Sequence, residues 1–310
     1  MTLTAPMLAS PKWLIALLWF ACVAAYVHWR GRVRHTFWRQ LADHSTLVAP
    51  LNVLIYAFSR TPRVPILDPR SFPELNLLRD HWEIIRDEAR ALYGIGAIGK
   101  SDDLNDLGFN SFFKNGWGRF YFHWYGSFLP SARELCPRTC ALLEQTPSVK
   151  AAMFALLEPG GRLPRHRDPW AGSLRYHLGL ITPNHDACRI VVDGEVRSWR
   201  DGEDLMFDET YIHTAENFTD RHRIILFCDV ERPLNNPLAR LYNRMVGRTL
   251  AAASASRNRP GEPLGMLNYG FKHVYALRRF GKRLKARNRR LYYAFKYTLL
   301  LGLGYWMFGS

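Results

Sequence analysis

The chain has few cysteines, and no two of them stand at metal-binding or redox spacing. Five cysteines occur in 310 residues, an odd number, and none of them forms a CxxC motif. This scarcity argues against a disulfide framework and a cysteine-ligated zinc site, and it favours a reducing compartment. Cys136 and Cys140 stand four residues apart and are expected to pack in the core, one helical turn from each other.

Acidic residues are missing where basic residues are densest. Nine of the twenty residues at 271–290 are Lys or Arg with no acid among them, and the formal net charge of the chain is +15. A second basic cluster follows an apolar run near the amino terminus and comprises Arg30, Arg32, Arg34 and Arg39. Basic residues that border apolar segments are typical of contact with anionic lipid, so we expect an anionic membrane surface as a partner and no nucleic acid.

A long uninterrupted hydrophobic run is also missing. A membrane-spanning helix needs about 20 apolar residues. The charge-free run at residues 13–27 is shorter, and it reaches that length only if counting starts at Met7 and Lys12 snorkels to the interface. The arginines that follow the run place the remaining chain in the cytoplasm by the positive-inside rule. Residues 1–59 are therefore predicted to form an amino-terminal membrane anchor with a basic, interfacial segment.

The carboxyl-terminal part carries a second apolar stretch. Residues 291–308 are apolar and aromatic but contain Lys296, and they follow the basic segment directly. We predict a basic region at 237–310 with a second membrane-associated segment, which either spans the membrane or lies in its interface. A competing interpretation is an amphipathic helix that packs on the folded domain. Residues 60–236 are predicted to form that domain.

Short apolar segments separated by turn residues fill the second half of this domain. They lie at 153–157, 174–181, 188–192, 195–199, 204–207, 211–216 and 223–230. The Asp193-Gly194 pair predicts a two-residue β-hairpin. Strands at such spacing favour an antiparallel sandwich or barrel, in which jelly-roll closure protects the edges. Amphipathic helices are predicted at 72–92 and 136–144, so the fold class is expected to be α+β.

Two histidines and one aspartate form the most informative pattern. His166 and Asp168 stand two residues apart in the loop after the 153–157 strand, and His213 lies in the segment 211–216. Alternation along an extended chain puts His166 and Asp168 on the same side. Two imidazoles and one carboxylate leave three positions of an iron ion open, as binding of a keto acid together with dioxygen requires. His166, Asp168 and His213 are the predicted metal ligands and catalytic centre.

Three basic side chains are predicted to bind a cosubstrate. Arg223 begins the apolar segment 223–230, where a buried guanidinium without a partner would be costly. A dicarboxylate would supply that partner through a bidentate pair. Arg175 and His177 share one face of the segment 174–181 by strand alternation, and both suit an anionic ligand.

Several motifs resemble the aspartyl/asparaginyl β-hydroxylase family of Fe(II)/2-oxoglutarate-dependent oxygenases. They are FALLEPGGRLPRHRD, LRYHLGLITP and FDETYIHTAENFTDRHRIILFCDVERP, and the similarity covers residues 112–233 with its spacing retained. The resemblance implies a double-stranded β-helix (jelly-roll) oxygenase core with flanking helices. It implies iron on His166 and His213, and the distal carboxylate of 2-oxoglutarate on Arg223. Arg175 and His177 match positions that line the cosubstrate or substrate pocket.

The sequence departs from the family pattern at two positions. Asp168 stands where animal peptide hydroxylases of the family lack a carboxylate and bacterial relatives have one. Ala155 stands where some relatives place a hydroxyl side chain near the cosubstrate. The first departure implies the ordinary three-ligand form of the site, and the second leaves part of the 2-oxoglutarate contact unassigned.

Within this family, the chain resembles the bacterial lipid A acyl-chain 2-hydroxylases, because it too has predicted membrane segments with basic flanks. This resemblance implies a dioxygenase that uses Fe(II), 2-oxoglutarate and dioxygen to hydroxylate a secondary acyl chain of lipid A. The expected location is the bacterial inner membrane, with the catalytic domain facing the cytoplasm and no obligate protein partner. The same chemistry on Asp or Asn residues of a peptide or protein is one alternative. A non-catalytic lipid-binding or scaffold protein on an oxygenase fold is an alternative of another class. A zinc or manganese enzyme also stays open, because the donor set alone does not fix the metal.

Overall fold

The centre of the fold is a pair of antiparallel β-sheets. The structure is a computed structural model that describes residues 11–100 and 106–295 together with residues 298 and 302. The strands in this part of the chain are β1 (Ile66–Leu67), β2 (Trp117–Trp124), β3 (Val149–Leu157), β4 (Arg162–His166), β5 (Ser173–Ile181), β6 (Cys188–Val192), β7 (Glu195–Ser198), β8 (Asp204–Phe207), β9 (His213–Asn217) and β10 (Arg223–Glu231).

The chain passes back and forth between the two sheets. The larger sheet has the order β1-β8-β5-β10-β3-β2, and the smaller sheet has the order β4-β9-β6-β7. From β3 to β10 the strands therefore alternate between the sheets, apart from the hairpin of β6 and β7, and this is the path of a jelly roll. The mixed α and β class with antiparallel sheets, expected from the sequence, is confirmed.

The hairpin predicted at Asp193-Gly194 is confirmed. Val192 pairs with Glu195 across the β6–β7 turn. Asp193 and Gly194 both have positive φ, at 50° and 89°. A type I′ turn requires left-handed backbone at both central residues, and its twist matches that of the flanking strands.

Three strands, β1, β2 and β4, were not predicted from the sequence, for different reasons. β1 comprises only two residues, too few to form a pattern. In β2, seven of the eight residues are buried, so the alternation of apolar and polar residues that marks a half-exposed strand is absent. β4 contains Pro164 and mostly exposed residues, which is typical of a loop. A proline is tolerated there because β4 is an edge strand of the smaller sheet.

Helices pack on the larger sheet. Other helices form the parts of the described chain that precede and follow the strands. Those in the described residues are α1 (Pro11–Trp29), α2 (Phe37–Leu41), α3 (His44–Val48), α4 (Val53–Phe58), α5 (Asn76–Asp80), α6 (Trp82–Gly94), α7 (Pro130–Leu135), α8 (Pro137–Glu144), α9 (Pro237–Val246) and α10 (Met266–Arg287). The buried face of α6 carries Ile85, Ala89 and Leu92, and α6 packs on β5 and α8.

The helix predicted at 72–92 is interrupted. Residues 73–75 form a short 3-10 turn, and the non-helical His81 (φ −110°, ψ 22°) separates α5 from α6. The Nδ1 atom of His81 lies 2.9 Å from the carbonyl oxygen of Leu77, which provides a local partner for that carbonyl. The helix predicted at 136–144 is confirmed as α8.

The membrane span expected at residues 13–27 is not found. Among residues 11–100, 106–295, 298 and 302, no helix is both long enough and apolar enough to cross a bilayer. The run lies in α1, where Val23 and Val27 are buried against Ala49, so part of its apolar surface packs on the protein itself. Residues 1–10 of the expected anchor lie outside the described residues, as does most of the carboxyl-terminal segment expected at 291–308.

Arg30 is not a lipid-facing residue, contrary to the sequence interpretation. Its guanidinium lies 2.5 Å from the carboxylate of Asp208, and the side chains are 5% and 1% exposed. Arg232 contacts the same carboxylate at 2.8 Å. The segment after α1 is therefore tied into the loop between β8 and β9, which precedes His213.

Candidate active site

The end of β4 and the start of β9 bring two histidines together. His166 and His213 are paired across the two strands, and their ring centroids lie 4.2 Å apart. Asp168 follows β4 by two residues, and its backbone N–H donates to the carbonyl oxygen of Glu209 at 2.9 Å. One donor atom from each of His166, Asp168 and His213 lies within 4.8 Å of the others. The three predicted ligands thus converge on one point.

Backbone carbonyls orient both imidazoles. Nδ1 of His166 lies 2.7 Å from the carbonyl oxygen of Pro164, and Nδ1 of His213 lies 3.0 Å from that of Tyr211. Because a carbonyl oxygen only accepts, each Nδ1 carries the proton and each Nε2 keeps a lone pair. Burial lowers the pKa of both histidines, and for His213 burial together with the neighbouring His166 lowers the pKa to about 3. Neutral imidazoles fixed in this tautomer are suited to bind a metal ion.

Asp168 supplies the negative charge of this cluster. Burial alone would raise the pKa of its carboxyl, but the positive charge of Arg175 more than offsets this effect and the pKa is lowered to about 2. Nη2 of Arg175 donates to Oδ2 of Asp168 at 2.7 Å. Two neutral imidazoles and one ionised carboxylate on adjacent elements are the donor set of a non-haem Fe(II) site with open positions, so the residues present fit such an ion.

Arg175 is surrounded by carboxyl groups of the protein. In addition to Asp168, its guanidinium hydrogen-bonds to Glu209, and its Nε lies 3.2 Å from Oδ1 of Asp229. Burial raises the pKa of both Glu209 and Asp229. The guanidinium also lies 3.8 Å from the ring centroid of Phe227. Arg175 therefore points into the interior, as predicted, and it holds Asp168 in place.

Arg223 is buried without an acidic partner among the described residues. Its side chain is 0% exposed, and its closest hydrogen bond is a long one from Nη2 to the carbonyl oxygen of Ala155 at 3.5 Å. Nε finds no acceptor among the described residues, and the guanidinium lies over the ring of Trp199 at 4.3 Å. Burial lowers the pKa of Arg223 to about 10. A buried cation without a counter-charge is costly, so this position is suited to an anionic ligand.

Two neutral donors accompany Arg223. Nε1–H of Trp199 donates to Nδ1 of His177 at 3.3 Å, which leaves the proton of His177 on Nε2. This Nε2 and the indole nitrogen of Trp117 have no hydrogen-bond partner in the described part of the chain. Trp117 lies 5.7 Å from the Arg223 guanidinium. Buried polar groups normally find partners, so unpaired donors in one region of the interior indicate a ligand position.

Sequence reasoning missed four of the residues that shape this region. They are Trp117, Trp199, Glu209 and Asp229. One signal was available for Asp229, because it continues the alternation of Arg223 and Phe227 and thus places an acid on the inward face of an apolar strand. The two tryptophans carry no local signal, because large aromatics in strands are usually core residues.

The sequence was compared with known families and proteins. A family profile described as Aspartyl/Asparaginyl beta-hydroxylase matches residues 79–233, half of the 310-residue chain. An ornithine lipid ester-linked acyl 2-hydroxylase from Rhizobium tropici is 33% identical over 200 residues, which cover 64% of this chain and 71% of that protein. The human aspartyl/asparaginyl beta-hydroxylase is 29% identical over 171 residues, 53% of this chain but only 22% of the human protein.

Among solved structures, a prolyl-4-hydroxylase from Pseudomonas putida aligns with a TM-score of 0.36 and 17% identity, covering 50% of this chain and 88% of that one. This similarity is too low to bear on function. The profile match and the 33% identity over most of the bacterial hydroxylase are sufficient to assign the family. The resemblance found in the sequence motifs is confirmed, and the chain belongs to the aspartyl/asparaginyl β-hydroxylase family.

Proposed function

We propose that this protein is an Fe(II)- and 2-oxoglutarate-dependent dioxygenase that hydroxylates an acyl chain of a membrane lipid. One observation carries the proposal: the same interior holds a cluster of three metal-ligand side chains and a buried arginine that lacks a counter-charge. A metal ion alone would not account for the arginine. A keto diacid, which binds a metal at one end and presents a carboxylate at the other, accounts for both.

Different side chains would bind the metal and the cosubstrate. Nε2 of His166, Nε2 of His213 and the carboxylate of Asp168 would hold Fe(II), which with bound 2-oxoglutarate and dioxygen supplies the oxidising chemistry. Arg223 would pair with the distal carboxylate of 2-oxoglutarate, because the guanidinium fork matches a carboxylate. His177 lies beside it and offers a neutral N–H donor.

Arg175 has a narrower role in this proposal than its sequence position suggested. Its charge is balanced by Asp168, Glu209 and Asp229, so it does not require the cosubstrate as a counter-ion. We assign it the task of fixing the Asp168 carboxylate in its ionised form beside the two imidazoles. It borders the cosubstrate without being its main anchor.

An exposed apolar helix supports the membrane part of the proposal. On α9, Ala239 and Val246 are buried, whereas Leu238, Leu241 and Met245 are exposed by 74%, 66% and 56%. At helical spacing these three form a continuous apolar stripe, and an exposed stripe of this kind is typical of helices that lie in a membrane interface. Arg240, Arg244 and Arg248 follow one another at four-residue intervals along the neighbouring face.

Further exposed apolar side chains lie on the amino-terminal helices, with which α9 is in contact through α4. They are Leu14, Ile15, Leu17, Leu18, Trp19, Phe37, Trp38, Leu41, Leu47, Leu51 and Leu54. Asn52 binds the loop that follows Asp168, through the carbonyl oxygen of Pro169 at 2.7 Å and the N–H of Ala171 at 3.0 Å. Contact of this surface with the cytoplasmic face of the inner membrane would place the metal-bearing loop close to the lipid.

The substrate we propose is the secondary acyl chain of lipid A, hydroxylated at carbon 2. The similarity to an acyl 2-hydroxylase supports an acyl substrate, although that relative is named for ornithine lipid. A peptide substrate is the competing possibility, because the human relative is named an aspartyl/asparaginyl hydroxylase.

Product analysis separates these substrates. The purified protein is incubated with Fe(II), 2-oxoglutarate and, in turn, lipid A, ornithine lipid and an Asp/Asn-containing peptide, and products are identified by mass spectrometry. We expect one added oxygen on lipid A, with stoichiometric succinate, and none with His213→Ala. Hydroxylation of ornithine lipid or of the peptide alone would contradict the lipid A assignment. Succinate formation that His213→Ala does not abolish would contradict the site.

A further inference from the structure

A cavity lies apart from the predicted metal ligands. Its volume is about 540 Å³, and it is bounded by the end of β2, the start of β3, the end of β10 and the helix α9. Tyr125 lies between this cavity and the Arg175 cluster, because it lines the cavity and its hydroxyl donates to Oδ2 of Asp229 at 3.1 Å. The proposed hydroxylation makes no use of this space.

The cavity has an excess of positive charge. Lys150, Arg244 and Arg248 line it together with one acid, Glu231. Lys150 Nζ lies 3.0 Å and Arg244 Nε 3.1 Å from the two carboxylate oxygens of Glu231. Arg248 has no ion pair within the described residues. Three cations against one carboxylate leave room for an additional anion.

One ring nitrogen of a buried histidine on the cavity wall is without a partner. His123 is 7% exposed, and its Nε2 has no hydrogen-bond partner among the residues that the structure describes. Its ring packs on Phe128, with centroids 4.5 Å apart. Burial, aided by the charge of Lys150, lowers the pKa of His123 to about 4, so the imidazole is neutral at pH 7. Buried polar atoms without partners are rare, so this part of the cavity wall is incompletely satisfied.

The shape of the cavity depends on an unusual backbone. Tyr125 has a φ of +51°, a left-handed conformation that is rare for an aromatic residue. A Cβ at Gly247 would lie 3.0 Å from Cδ1 of the Tyr125 ring, a tight contact that glycine avoids. Gly247 also begins the π-helical turn Gly247–Ala251, and such turns are frequent at functional sites.

We propose that this cavity binds a phosphate group, with Lys150, Arg244 and Arg248 as its cationic partners. Arginine and lysine are the preferred partners of phosphate, and His123 adds a neutral group on the wall. Arg244 and Arg248 also flank the apolar stripe of α9, so a phosphate at the surface of a membrane would meet the cavity when the stripe is in contact with lipid. The site does not depend on the proposed hydroxylase activity.

Binding of two probes tests the site. Inorganic phosphate is titrated by calorimetry, and vesicles of phosphatidylcholine with about 20% phosphatidic acid, enough to present phosphate monoesters at low overall surface charge, are used in co-sedimentation. Arg248→Gln and Lys150→Gln should each raise the dissociation constant about 10-fold, since a charge-assisted hydrogen bond contributes about 1.5 kcal/mol. Arg240→Gln is the matched control, because Arg240 is an exposed arginine of the adjoining helix α9 that does not line the cavity.

The two probes distinguish the sources of phosphate. Weaker vesicle binding in the cavity variants than in the control identifies a lipid headgroup, and weaker binding of inorganic phosphate alone identifies a soluble phosphate compound. The proposal is overturned if neither probe binds, or if Arg240→Gln weakens binding as much as Arg248→Gln. Thermal unfolding is measured for each variant, and Arg248→Gln decides the outcome if Lys150→Gln does not fold. Fe(II) binding should be unchanged in Arg248→Gln, which separates this test from that of the hydroxylase.

Discussion

Two buried arginines on neighbouring strands have opposite surroundings. Arg175 on β5 is in contact with three carboxyl groups, whereas Arg223 on β10 has none in the described structure. Burial alone lowers the pKa of both guanidinium groups. For Arg175, Asp229 and Glu209 more than offset this effect and raise the pKa above its ordinary value, whereas the pKa of Arg223 stays lowered, at about 10.

This difference distinguishes Arg175, whose charge stabilises the fold, from Arg223, whose charge is available to bind a ligand. The counter-charges of Arg175 are carboxyl groups of the protein, so this residue stabilises the loop that carries Asp168. The fold leaves the charge of Arg223 uncompensated, and an uncompensated buried charge reduces stability until an anion binds. The contrast therefore assigns the cosubstrate carboxylate to Arg223.

The largest effect is expected on the free energy of unfolding when Arg175 is replaced. Arg175→Met leaves Asp168, Glu209 and Asp229 buried without their cation, and breaking a buried ion pair in this way costs about 3–5 kcal/mol. Urea denaturation without ligands should show a loss of this size in the free energy of unfolding. The matched substitution Arg223→Met should show no loss, because it removes a charge that has no partner. Equal losses in the two variants would contradict the contrast.

A smaller effect is expected on cosubstrate affinity. Removing one partner of a buried charge pair costs 2 kcal/mol or more, so Arg223→Met should raise the dissociation constant of 2-oxoglutarate by at least about 30-fold. Calorimetry under anaerobic conditions with Fe(II) measures this constant. Arg223→Lys keeps the charge but loses the bidentate geometry. Its dissociation constant for 2-oxoglutarate should therefore lie between those of the wild type and Arg223→Met. An affinity of Arg223→Met within a few-fold of the wild type would exclude the assignment.

The smallest effect is expected on the pH dependence of stability and arises from His177, which lies near Arg175 and Arg223. Burial, then the charges of Arg175 and Arg223, lower the pKa of His177 well below its ordinary value. As pH falls below 6.5 the unfolded chain takes up a proton at this histidine and the folded chain does not, so stability falls. One such group costs about 1 kcal/mol between pH 6.5 and 5.5.

His177→Gln removes this contribution. Its free energy of unfolding should therefore fall by about 1 kcal/mol less than that of the wild type over the same interval. Denaturation at the two pH values checks this, with His185→Gln, at an exposed position, as the control that should follow the wild type. An identical decrease in His177→Gln and the wild type would show that His177 is not held neutral.

The sequence predicted those strands that turn residues separate clearly from one another. The segments that became β5, β6 and β10 carry apolar runs bounded by turn residues, and their positions were predicted to within a few residues. β2 was missed because a short apolar, aromatic run does not by itself distinguish a buried strand from a buried helix. β4 was missed because an edge strand can carry proline and exposed arginines. Pattern reasoning therefore depends on apolar segments that turn residues bound clearly.

The candidate site was only partly accessible to sequence reasoning. Arg223 stands out because a charged residue at an inward position is unusual in an apolar strand, and His166 and Asp168 stand out because their spacing of two residues suits a shared metal ion. The carboxyl partners of Arg175 come from a loop and a strand that are distant in sequence, so no local pattern reveals them. The same limit applies to Arg30, which the sequence places beside an apolar run and the fold buries against Asp208.

The central claim is that His166, Asp168 and His213 hold one Fe(II) ion. Anaerobic calorimetric titration of the wild type with Fe(II) tests it most directly, in parallel with His213→Ala and with His185→Gln as a control at an exposed histidine. The account predicts one Fe(II) per chain for the wild type and the control, and none for His213→Ala. Equal Fe(II) binding by all three proteins would contradict it.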